Sequence, residues 1–255
     1  EIVEKALPRV EDRKWGEVLE AASIATPGAV AKKLAELKTT PQDAFDKAYM
    51  LQKQGNLTGA IEIYTYVITR LRSLTLIDKK FLPDLAMTLS NLGNALANKG
   101  RLDEAIKHYE KALEIYRELA RRDEKYLSDL AMTLNNLGLA LANKGIRDKA
   151  IKYYEEALEM LRELARKDEK HLPNLAITLF GYGLALLRND EKDGLKYMEE
   201  SVLILCELVG RGMCWLRDRL VLMSKVFLDI LDVVDKSKKR EIALIVSKAL
   251  ERCDE

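Results

Sequence analysis

Two histidines, three cysteines and a group of asparagines are the residues of this chain that invite a chemical reading. A histidine near neutral pH can serve as a general base or a metal ligand. His108 and His171, however, stand in a chain that repeats itself. Residues 85–129 and 130–174 align without a gap over 45 positions, 32 of them identical. In that register His108 meets Tyr153 and His171 meets Tyr126. Each histidine therefore fills an aromatic packing slot that the sister copy gives to tyrosine, and neither is expected to do chemistry. Cys206, Cys214 and Cys253 form no C-x-x-C pair, and their number is odd. They are read as small apolar residues packed in helices, Cys253 being the most exposed, in a reducing intracellular setting. No phosphate-binding loop, zinc-protease motif or nucleophile elbow occurs. Gly181-Tyr182-Gly183 falls inside a helical repeat rather than in a dinucleotide loop, and the sequon Asn56-Leu57-Thr58 reads as a chance match. The expectation is a protein that is not an enzyme, with no cofactor and no metal.

The asparagines ask for a different explanation. Asn91, Asn94, Asn135 and Asn136 lie in the middle of apolar-periodic segments. Asparagine there costs up to ~0.7 kcal/mol relative to alanine. A side-chain amide both donates and accepts, so it can bond to the backbone of an extended peptide. The competing role is an amide ladder from helix to helix, which applies most to Asn91 and Asn136. Asn98 and Asn143 each precede Lys-Gly at a helix end, where capping competes with ligand contact.

The elements that must position these residues follow from the repeat. A fixed period of this length means stacked supersecondary units rather than one globular core. In the first copy the apolar spacing predicts a helix A over 83–99 and a helix B over 102–124, with Gly100 closing the turn. The second copy predicts helices over 129–144 and 148–169 around Gly145, and a third begins at Pro173. There one residue is lost around Asn189-Asp190-Glu191, and helix B resumes over 192–208 with Gly194, Met198 and Ser201 in place of Ala, Tyr and Ala. A divergent pair precedes them, started by Thr40-Pro41 and turned at Gly55. Asp123-Glu124-Lys125 and Asp168-Glu169-Lys170 read as solvated helix ends. Residues 1–39 are not repeat-like; amphipathic helices over 12–24 and 29–37 suggest a cap or the tail of a preceding domain. After Gly210-Arg211-Gly212, residues 213–235 form a strongly apolar helix. A basic turn over 236–240 and a final helix over 241–252 follow. The domains expected are 1–39, 40–210 and 211–255.

Lys plus Arg is 42 against 41 Asp plus Glu, so a phosphate-tracking nucleic-acid partner is not expected. No apolar run is long enough to span a membrane, and a cytoplasmic location is expected. The chain begins with Glu1 rather than Met and so reads as a domain cut from something larger.

Within each copy the recurring residues are Leu92-Gly93, Leu96, Gly100, Ala105, Tyr109 and Ala112, then Leu137-Gly138, Leu141, Gly145, Ala150, Tyr154 and Ala157. This pattern resembles the tetratricopeptide repeat over about residues 41–208. The long-helix form is similar to the repeats of kinesin light chain and to the repeat tails of multidomain signalling ATPases. The resemblance implies an all-α, right-handed superhelical solenoid of antiparallel helix pairs with helical caps, whose concave face, lined by helix A, holds a peptide or protein segment. Carried over by register, the peptide-binding residues are Phe45, Tyr49 and Lys53, then Met87, Asn91, Asn94 and Asn98. Met132, Asn135, Asn136 and Asn143 continue the series, followed by Phe180 and Arg188. Lys53 and Arg188 lie at opposite ends with a neutral middle, which disfavours a carboxylate clamp and suits a partly apolar segment. The function expected is a non-catalytic interaction scaffold. The alternative is a sensor or oligomerisation module of a larger signalling ATPase or regulator. Self-association through the 213–235 stripe is a further option, because a stripe this wide left uncovered would be an exposed apolar patch.

Overall fold

The computed structural model describes residues 39–253, and every described element is helical. Ten α-helices follow in order: α1 Pro41–Lys53, α2 Leu57–Thr75, α3 Leu82–Asn98, α4 Leu102–Ala120, α5 Leu127–Asn143, α6 Arg147–Lys167, α7 Leu172–Arg188, α8 Gly194–Gly210, α9 Arg217–Val234 and α10 Lys236–Glu251. The described residues divide into two units, 39–129 and 130–253. The N-terminal helices expected over 12–24 and 29–37 lie outside the described residues.

In the first unit, α1 packs on α2, α2 on α3 and α3 on α4. Thr40 caps α1 by accepting the Asp43 backbone N–H at 3.0 Å, while its hydroxyl donates to the Asp43 carboxylate at 2.7 Å. Asn56 caps α2 by accepting the Gly59 N–H at 3.0 Å. Gly55 and Gly100 take φ of +82° and +80° between the helices of each pair. That left-handed residue lets the Arg101 N–H reach the Leu96 carbonyl at 2.9 Å and close α3.

In the second unit, α7 packs on α6 and on α8, and α8, α9 and α10 pack on one another. Gly145 closes α5 with φ +85°, and Asp190, 45 residues later in the numbering, adopts φ +61° in the same role. Asp is one of the few side chains that tolerates this region. The deletion expected near Asn189-Asp190-Glu191 therefore falls after the turn residue. Met198, Val202, Leu205, Leu208, Leu216, Leu220, Phe227 and Leu231 build the C-terminal core with Ile242 and Val246 of α10.

Four local expectations are corrected. The extended helix B over 102–124 stops at Ala120, and that over 148–169 at Lys167; each is followed by a 3₁₀ turn, Glu124–Tyr126 and Glu169–His171. The residues read as solvated helix ends are exposed, and their aspartates in addition cap those turns. Asp78, Asp123 and Asp168, all extended, accept the backbone N–H of Lys80, Lys125 and Lys170 at 2.9, 3.0 and 3.0 Å. Each also pairs with that lysine's ammonium. The helix expected over 213–235 is interrupted in the same way, by a 3₁₀ turn at Cys214–Leu216 before α9. The basic stretch 236–240 is the first part of α10, because extended Asp235 accepts the Lys238 N–H at 3.0 Å and caps it.

The cysteines also depart from expectation. Cys214 and Cys253 form a disulfide across 39 residues, with Cα atoms 5.6 Å apart. Cys253 is half-buried rather than exposed. Its sulfur lies 3.7 Å from the Val209 carbonyl, a van der Waals contact for a sulfur that carries no hydrogen. Cys206 alone is free, buried beside α10, and burial pushes its thiol pKa up to about 11. A paired Cys214 and Cys253 removes the basis for placing the chain in a reducing compartment.

Candidate functional site

The helix-A positions named from the register fall into three physical classes. In the first unit, Phe45 is half-buried and packs tilted against Tyr64 with centroids 5.6 Å apart, and the Tyr64 hydroxyl donates to Gln52 at 3.1 Å. Tyr49 is 43 % exposed, and the Lys53 ammonium stands 5.4 Å from its ring centroid. Met87 and Asn91 are half-buried, and Asn98 is exposed at the last position of α3. Asn91 donates to the Met87 carbonyl at 3.0 Å, one turn back on its own helix. That uses one of the four hydrogen bonds that an amide can make, about three being left for a ligand or water.

Asn94 belongs to a second class. It accepts the Tyr109 hydroxyl at 2.7 Å, joining α3 to α4. Tyr109 is fully buried, and burial holds its phenol well above the usual range, so the hydroxyl keeps its proton and needs an acceptor. Asn94 thus has a packing duty within the pair, and this is the compensation its mid-helix position called for.

In the second unit Met132 and Asn136 are half-buried, Leu139 is 48 % exposed, and Asn143 and Arg188 are exposed. Asn135 and Phe180 depart from the expectation of an open face. Asn135 is 5 % exposed and donates to the Asn136 amide at 3.2 Å. Phe180 is 8 % exposed and joins the C-terminal core. Phe180 lies on the helix pair that closes most tightly, α7 with α8. Gly183 has the Gly194 carbonyl within 2.6 Å of where a Cβ would sit, and Gly194 approaches the Gly183 carbonyl as closely in return.

Beside this face sits a tyrosine cluster that the register alone did not single out. Tyr182 packs edge-on to Tyr197 with centroids 4.7 Å apart and lies 6.4 Å from Tyr154. Its hydroxyl donates to Glu155 at 3.0 Å, and burial with that bond raises its pKa. Gly181 lies under the Tyr154 ring, which stands 3.0 Å from where its Cβ would sit.

His108 is half-buried on α4, its Nδ1 without a partner, and burial with Lys111 and Arg72 nearby lowers its pKa. His171 is half-buried at the end of its 3₁₀ turn. Among the described residues no group of three or more His, Cys, Asp or Glu is placed to hold a metal ion. Among them too, no helix is long and apolar enough to cross a membrane.

Comparison with known proteins agrees with this geometry. Two family models, each a tetratricopeptide repeat, match residues 84–163 and 45–120. Among solved structures, a putative kinesin light chain with nearly identical TPR-like repeats from Podosopora anserina is 13 % identical with a TM-score of 0.59, covering 83 % of this chain and 97 % of that one. BtubC (BKLC) from P. vanneervenii is 21 % identical with a TM-score of 0.61, covering 94 % and 88 %. The apo form of RapI is 12 % identical with a TM-score of 0.58, covering 94 % of each chain. No curated protein sequence matches the chain. Repeats of this kind generally mediate protein–protein contacts and are generally non-catalytic. The helix pairs, their glycine turns and both family matches coincide, and tetratricopeptide repeats occupy residues 45–163 of this chain.

Proposed function

We propose that this protein is a non-catalytic interaction scaffold that holds a peptide or protein segment against its helix-A faces. The supporting observation is the accessible amide and apolar set on otherwise buried helices: Met87 and Asn91 on α3, and Met132, Asn136 and Leu139 on α5. Tyr49 and Lys53 on α1, Asn98 and Asn143 at the ends of α3 and α5, and Arg188 at the end of α7 extend the set. The mixture of amides with methionine and leucine suits a partly apolar segment bound through its backbone. Asn94, Asn135 and Phe180 act through packing in this reading.

Selection from a displayed random-peptide library against the whole chain tests it. Binders should emerge, and Asn91→Ala with Asn136→Ala should weaken them at least about tenfold, equivalent to ~1.4 kcal/mol. Unchanged binding by a folded double variant would remove the helix-A face from the site.

A further inference from the structure

The helix that follows the last turn shows solvent a different surface from its predecessors. Lys80, Lys125 and Lys170 recur at one turn position, each paired with an aspartate. The same position, 45 residues on in the numbering, is Trp215, and it is 71 % exposed. From there along α9 runs a row spaced alternately by four and three residues: Trp215, Arg219, Leu222, Val226, Asp229 and Val233. Leu222 is 65 % and Val233 88 % exposed, Arg219 and Asp229 are exposed, and Val226 is half-buried. The buried residues Leu216, Leu220, Met223 and Phe227 each lie one residue further on, roughly 100° round the helix, and Leu231 continues their row. The open row is therefore a second seam with the period of a coiled coil, and of its members Val226 also packs against the C-terminal core.

This row is its own complement when reversed. Two copies of α9 laid antiparallel about a two-fold axis beside Ser224 set Trp215 against the second copy's Val233. Leu222 then faces the second copy's Val226, and Arg219 faces its Asp229. Four apolar layers result, with two ion-pair layers between them. Asp232 already pairs with Lys239 at 2.7 Å, whereas Arg219 and Asp229 carry no ion pair among the described residues. We infer that α9 is a homodimerisation helix, pairing isologously and antiparallel with the α9 of a second copy. This inference does not rest on the peptide-binding reading. Leu222, Asp229 and Val233 do continue the helix-A register of Ile177, Leu184 and Arg188, so a dimer occupies this stretch of the inner face.

One helix against its copy buries less than the ~1,200 Å² of a standard interface, so a weak, concentration-dependent dimer is expected. Sedimentation equilibrium of the full chain up to about 100 μM should show reversible dimer formation. Arg219→Asp alone sets two aspartates face to face, and Asp229→Arg alone sets two arginines face to face; each should be monomeric. Mixed one to one, the two variants regain both ion pairs and should dimerise, and the double variant should dimerise by itself. Leu222→Asp should be monomeric. All three positions are exposed, and circular dichroism checks folding. A monomeric wild type overturns the proposal, including the case in which α9 binds a selected peptide instead. So does a dimer unaffected by either single swap, or a pair of monomeric swaps that fail to associate when mixed.

Discussion

Three glycines at one repeat position, Gly93, Gly138 and Gly183, should respond very differently to the same added methyl group. All three lie in helix A with ordinary helical backbone, so alanine gains about 1 kcal/mol of helix propensity at each. What differs is the neighbour. A Cβ on Gly93 would lie 2.5, 2.8 and 2.9 Å from three atoms of the Tyr109 ring. That ring is 2 % exposed and tethered through its hydroxyl to Asn94 at 2.7 Å, so it cannot swing away. Overpacking of this kind costs about 3 kcal/mol, leaving a net loss of about 2. At Gly138 the nearest atoms, of Tyr154 and the Ala150 carbonyl, are 3.2–3.3 Å away. A few tenths of an ångström of give are enough there, and Leu139 supplies no amide to tether Tyr154. The net change at Gly138 should fall within about 0.5 kcal/mol of zero. Gly183 faces backbone, the Gly194 carbonyl at 2.6 Å, which cannot move without parting α7 from α8. Gly183→Ala should lose the most, about 3 kcal/mol or more. Urea and thermal denaturation of the three single variants, with hydrogen exchange to assign each loss to its own unit, read the order directly. About 2 kcal/mol in a unit of this size lowers its midpoint by about 10 °C. A Gly93→Ala protein as stable as wild type, or a Gly138→Ala protein as damaged as Gly93→Ala, would refute the contact argument. Adding Tyr109→Leu to Gly93→Ala supplies the cross-check, since the alanine should cost nothing once the ring is gone.

The same tether separates stability from binding. Asn94→Ala leaves a buried phenol without its acceptor and should cost about 1–3 kcal/mol, whereas Tyr109→Phe removes the buried donor and leaves half-buried Asn94 to water, and should cost about 1; peptide binding by the Phe variant should be unchanged. Reducing the Cys214–Cys253 bond, or changing Cys253 to Ser, frees a 39-residue loop and should lower the stability of α9 and α10 by about 4 kcal/mol, read as faster amide exchange there and not in α1–α4. His108 should make the first unit acid-sensitive. Its folded pKa lies below the unfolded value of about 6.5, so the unfolded state takes up the proton first as pH falls. Stability is then full above about 6.5 and declines down to the lower folded value. His108→Tyr, the residue of the sister copy, should abolish that decline in a urea-midpoint series from neutral to mildly acidic pH.

Duplication made most of the fold legible. Two near-identical copies separate what packing holds constant, Gly93 with Tyr109 and Gly138 with Tyr154, from what drifts. The helix pairs, the glycine turns and the packing role of both histidines follow from that comparison, since a residue exchanged for tyrosine in the same slot is filling space. The Asp-x-Lys turns were visible at the same period, but composition alone cannot tell a solvated carboxylate from one that caps a turn two residues on; only the extended backbone of Asp78, Asp123 and Asp168 decides it. The disulfide was not legible, because Cys214 and Cys253 lie outside the duplicated stretch and depend on α10 folding back against α8. The site was half legible for a related reason. Register places a residue on a face of its helix but says nothing of how far the neighbouring helix has closed over it. Ser90, Asn135 and Phe180 share one register position, yet Ser90 is half-buried and the other two are buried. Asn91 and Asn136 share another, and both stay accessible. The inner face is thus shaped by helix approach as much as by residue type. The glycines that set that approach therefore govern which side chains stay accessible.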